Sequence, residues 1–147
     1  MSTSQDLKSA LDAYASRQEI SKQKIKTGLA ELSASAEKFC QLTTRAVYNV
    51  VEPVCEKIAI TANINGEVVG FNTQKIIFPI ADRTIEFIPT FTPKNQFGFR
   101  TNGLQQELVI LPKMDSWEAY SSGGLVLESV FTPEYFVSLL MSVIPNN

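Results

Sequence analysis

The sequence predicts an α+β protein: a long N-terminal helix, an antiparallel sheet of five or six strands, and a C-terminal helix. Three observations predict it. Residues 4–50 contain no proline and one glycine, and their apolar residues recur at helical spacing. Residues 57–130 form short runs rich in β-branched and aromatic residues, divided by Asn-Gly, Asp-Arg and proline-containing turns. Thr132–Pro133–Glu134 then places an N-cap hydroxyl, a first-turn proline and an acid ahead of a last apolar stretch. The chain divides accordingly into a coiled-coil-like helical segment over residues 1–50 and an antiparallel α+β domain over 51–147.

The helix opens at Ser4, a candidate N-cap, with Asp6 near the positive end of the helix dipole. Leu11, Gln18, Ile25, Leu32, Phe39 and Ala46 recur every seventh position. Leu7, Tyr14 and Leu42 flank that line on one side, and Ala15, Leu29, Ala36 and Val50 on the other. This is an amphipathic stripe at nearly coiled-coil period. Gln18, Ser21 and Lys22 weaken it, and Thr27–Gly28 is a place for a bend, since an internal glycine costs about 1 kcal/mol relative to alanine. A helical hairpin needs better loop chemistry than Thr-Gly, so one continuous helix is the preferred reading. Such a helix is about 65–70 Å long and outreaches a domain of roughly 100 residues, whose radius of gyration is about 13 Å. Its free part then needs a partner, another copy or another chain, and Leu11, Ile25, Leu32 and Phe39 are the expected contacts. Pro53 places the helix end near Tyr48–Val51, with Val54–Lys57 as one further turn.

Strands follow in order. Ile58, Ile60, Ala62 and Ile64 alternate up to Asn65–Gly66, a strong hairpin signal, and Val68–Phe71 return. A second hairpin joins Lys75–Ala81 to Thr84–Phe91 through Asp82–Arg83. Pro79 and Pro89 imply that at least one of these strands lies at an edge or leaves the sheet early. Gln96–Thr101 and Glu107–Leu111 are short strands, Met114–Tyr120 is read as a helical turn, and Leu125–Val130 is the last strand. Tyr135, Phe136, Leu139, Leu140 and Val143 give the final helix, stopped by Pro145.

Composition narrows the chemistry. The chain has no histidine, which removes the commonest metal ligand and general base together. Cys40 and Cys55 are too few for a disulfide framework, and on continuous helical backbone they would stand about four turns apart, beyond bridging. Phosphate-binding, nucleophile-elbow and dinucleotide signatures are missing. No metal, cofactor or catalytic residue is therefore expected. Residues 1–50 carry net charge +2 and residues 51–147 net −4, too little to imply a nucleic-acid partner. No apolar run approaches the ~20 residues of a membrane span, and the N-terminus is polar, so a cytoplasmic location is expected.

Phe97–Gly98–Phe99–Arg100 resembles the core of the RNA-recognition-motif signature over four residues, which implies base stacking on strand aromatics. Eight of the nine phenylalanines follow residue 70; either they fill the core, or some of them, Phe91, Phe97 and Phe99 first, form a docking patch. In size, acidity and element order the chain is also similar to the small acidic chaperones of type III secretion, which dimerise, though no motif carries that likeness. The expected function is non-catalytic protein–protein interaction or assembly as a homo-oligomer, through the helix and an aromatic sheet surface. The alternatives are a small enzyme with a carboxylate- or lysine-based pocket, and single-stranded nucleic-acid binding.

Overall fold

A computed structural model describes residues 3–145. Its elements are helix α1 (Ser4–Ala46), strands β1 (Val54–Ile64), β2 (Glu67–Ile80), β3 (Arg83–Phe91), β4 (Phe97–Asn102), β5 (Val109–Lys113), β6 (Ser116–Ser121) and β7 (Val126–Val130), and helix α2 (Pro133–Ser142), with a 3-10 turn at Ser122–Gly124. The strands form one antiparallel meander in sequence order, seven rather than five or six. β2 runs unbroken through both the expected Val68–Phe71 and Lys75–Ala81 strands, and β6 is the unexpected strand. Its residues Trp117, Ala119 and Ser121 are buried in strict alternation, a period of two that rules out the expected helical turn. Met114 makes the preceding hairpin turn in left-handed backbone, φ 44°.

α1 is continuous through Gly28. It is capped by Thr3, one residue before the expected Ser4: Thr3 Oγ1 accepts from the Asp6 amide, and the Asp6 carboxylate accepts from the Thr3 amide. Gly28 is not a hinge but a point of close approach. A Cβ there would lie 2.8 Å from Ile64 Cγ2, at the tip of the β1–β2 hairpin. The helix ends at Ala46, earlier than Pro53 suggested, because Asn49 takes φ 64° and reverses the chain. After Pro53 the backbone goes directly into β1, so Val54–Lys57 is strand and not a helical turn. Asn65 and Gly66 supply the two positive φ values of the first hairpin.

The three strand prolines share one explanation. Pairing of β1 with β2 stops at Ile77, that of β2 with β3 at Phe87, and that of β4 with β5 at Ile110. Pro79, Pro89 and Pro112 each lie two residues beyond those points. Each strand there has a neighbour on one side only, so the missing amide leaves no ladder bond unmade. Edge geometry is thus local: β2, β3 and β5 are interior strands that are unpaired along part of one side.

α2 and the C-terminal half of α1 cover one sheet face. Phe39 from α1 is fully buried and stacks on Phe99 with ring centroids 4.4 Å apart, with Phe87, Trp117 and Phe131 around it. Phe136 from α2 meets Phe78, Phe87 and Phe131. One core therefore joins the helical segment to the sheet. Burying a phenylalanine side chain contributes about 1.5–3 kcal/mol, so this cluster fixes the base of α1. The opposite face is more polar: Lys75 bridges Glu56 and Glu86 at 3.6 Å each.

Candidate interaction surface

The apolar stripe of α1 runs the length of the helix, but the sheet covers only part of it. Leu29, Leu32 and Ala36 are half-buried against the core, and Phe39, Thr43 and Val47 are buried. Thr43 satisfies its hydroxyl within the helix, donating to the carbonyls of Phe39 and Cys40 at 3.1 and 3.0 Å. Towards the N-terminus the same face emerges from the domain. Every residue from Ser4 to Ile20, about 25 Å of helix, is exposed. Leu7, Leu11 and Tyr14 are 62, 58 and 55% exposed, and Ile25, where the stripe meets the domain, is half-buried.

The four expected seam contacts are therefore divided. Leu11 is free and Ile25 borders the free region, whereas Leu32 and Phe39 are spent on the chain's own sheet. A seven-residue period identifies a face without saying what covers it, which is why sequence reasoning grouped them.

Phe97 and Phe99 are buried and Phe91 is half-buried, so these rings offer neither an exposed docking patch nor a base-stacking platform. Phe97 packs on Phe71, Phe91 and Phe99. The intervening glycine is required by the fold: a Cβ on Gly98 would lie 2.3 Å from the Ile110 carbonyl oxygen. The Phe-Gly-Phe pattern therefore has a packing cause.

A groove of about 620 Å³ lies between α1 and the β1–β2 ribbon, with Glu37, Cys40, Lys57, Gln74, Ile76 and Phe99 among its lining residues. Cys55 lies directly opposite Ile76 in the β1–β2 register, and its thiol is near enough to Cys40 to affect its ionisation. The two cysteines are thus neighbours across the helix–strand interface, not four helical turns apart, because the chain reverses at Asn49. Burial, then the Cys55 thiol and the Glu37 carboxylate, push the Cys40 thiol up to about 11. A thiol held there is protonated at neutral pH and a weak nucleophile. One carboxylate and one ammonium, Glu37 and Lys57, share the groove with it. Among the described residues no three His, Cys, Asp or Glu side chains come together at metal-binding geometry, and no buried side-chain nitrogen or oxygen lacks a hydrogen-bond partner. No helix among them is long and apolar enough to cross a membrane.

A search of known protein families, curated proteins and solved structures finds no match to this chain.

Proposed function

We propose that the protein is a non-catalytic interaction module whose projecting α1 segment, residues 4–25, packs on a second helix, from another copy or another chain. One observation carries the reading: the stripe that α1 uses to bind its own sheet continues for about 25 Å past the edge of the domain, still apolar at Leu7, Leu11 and Tyr14, and uncovered. A lone helical segment of this length is marginal in water, so a partner that buries its apolar face would stabilise it. Burial of one leucine contributes about 1.5–3 kcal/mol, so three or four such residues supply the driving force for pairing.

Light scattering of the full chain, alone and mixed with helical peptides bearing a leucine/isoleucine seam, tests this. Association with itself or with a peptide is expected, and it is lost in the Leu7→Asp, Leu11→Asp, Tyr14→Asp triple variant, which melts at the unchanged temperature. A chain that stays monomeric and binds no helical peptide would overturn the proposal.

A further inference from the structure

The residues beside the free stripe indicate what kind of helix fits it. In the seven-residue repeat, with Leu11, Gln18 and Ile25 at one seam position and Leu7, Tyr14 and Ser21 at the other, Arg17 and Lys24 lie on one flank and Lys8 and Lys22 on the other. All four are exposed. The other residues at the same flanking positions are Ala10 and Ala15. Of the three acids in this part of the helix, Asp6 is occupied by the cap. Asp12 and Glu19 directly follow the seam residues Leu11 and Gln18 in the repeat, which puts them one position outside the Lys8–Lys22 flank. A weak apolar seam is thus bordered on both sides by cations.

Flank charges decide which helices pair and in which direction. Two copies of this chain fit poorly either way. In a parallel pair, Arg17 of one copy meets Lys22 of the other. In an antiparallel pair, Arg17 and Lys24 meet their counterparts, as do Lys8 and Lys22. Both arrangements place like charges across a seam that Gln18 and Ser21 have already weakened. A helix with acidic residues at its flanks turns every one of these contacts into an attraction.

We infer that the occupant of the projecting helix is an amphipathic helix of another protein, with aliphatic seam residues and glutamate or aspartate on both flanks. This rests on the helix-docking function proposed above and names its partner's chemistry. An anionic lipid surface also attracts cations, but an interfacial helix buries a broad apolar face, whereas here the apolar residues form a line broken by Gln18 and Ser21. The polar face also carries Asp12 and Glu19, which such a surface repels.

The test uses the full chain and three probes: a three-heptad peptide with leucine/isoleucine at the seam and glutamate on both flanks, the same peptide with lysine on the flanks, and phosphatidylserine/phosphatidylcholine vesicles. Fluorescence anisotropy reads peptide binding, co-sedimentation reads vesicle binding, and light scattering reads self-association. The glutamate peptide is expected to bind at least about tenfold more tightly than the lysine peptide, and to weaken steadily as salt rises and the Debye length shrinks from about 10 Å at 0.1 M to about 3 Å at 1 M. The variant Arg17→Glu, Lys22→Glu, Lys24→Glu is expected to reverse the preference; these exposed side chains leave the core untouched, and an unchanged melting temperature confirms it. Equal binding of both peptides, or a full chain that dimerises more tightly than it binds the glutamate peptide, overturns the acidic-partner inference while leaving helix docking intact. Binding to neither peptide together with a monomeric chain overturns both, and vesicle binding in that case assigns the helix to a lipid surface instead.

Discussion

The two halves of α1 carry one apolar stripe and meet opposite fates. The C-terminal half lies on the sheet, with Phe39 and Thr43 fully buried and Val47 nearly so; the N-terminal half carries Leu7, Leu11 and Tyr14 into solvent. Helical periodicity is the same in both. What differs is seam quality and flank charge. The buried half has Leu29, Leu32, Ala36 and Phe39 in succession, while the free half breaks its apolar line at Gln18 and Ser21 and borders it with lysine and arginine. A stripe that must hold permanently is dense and aromatic, and a stripe left for a partner is sparse and marked by charge.

The largest expected effect that separates the halves is Phe39→Ala. Removing a ring packed against four other aromatic side chains leaves a cavity and costs about 3–5 kcal/mol, read as a lower midpoint in urea. Leu32→Ala, at a half-buried position of the same stripe, costs less, roughly 1–2 kcal/mol. Leu11→Ala, the same chemical change three heptads earlier, shifts stability by under about 0.5 kcal/mol, because the side chain is exposed in the isolated chain. It weakens association instead. Equal destabilisation by Leu32→Ala and Leu11→Ala would abolish the distinction between the halves.

A smaller effect reports on how the base of the helix is seated. Iodoacetamide at pH 8 is expected to modify exposed Cys55 well before Cys40, whose thiol is pushed up to about 11 first by burial and then by Cys55. Cys55→Ser then brings Cys40 part of the way back towards an ordinary thiol, and the pH midpoint of its alkylation falls. The same linkage has a sign for folding. Cys40 ionises more readily in the unfolded chain, so its contribution to stability is present below about pH 9 and is lost as pH rises towards 11. A Cys40 that reacts as fast as Cys55 would mean that the helix base opens freely.

Much of the fold was legible because local signals agreed with it. Asn65–Gly66 turns the first hairpin and Thr132–Pro133 opens α2, each through chemistry confined to a few residues. β6 was illegible because its alternation is only six residues long, and Met114–Asp115 carries no glycine to announce the turn. The strand prolines were half legible: their missing amides imply an unpaired side, but which neighbour ends early depends on the lengths of adjacent strands. Phe39 and Leu11 share a heptad position, and only the tertiary structure tells a core residue from a free one. The proximity of Cys40 and Cys55 was hidden for a related reason: it depends on the reversal at Asn49, and the nearby Pro53 drew the helix end a few residues too far along the chain.

The most direct test of the division is residue-resolved amide hydrogen exchange on the dilute full chain, with and without the glutamate-flanked peptide. Residues 4–20 are predicted to exchange rapidly in the free chain and to gain protection when the peptide binds, while residues 32–46 stay protected in both states. Strong protection of residues 4–20 in the dilute monomer would contradict the account, since it would show that the chain covers this stripe with its own fold.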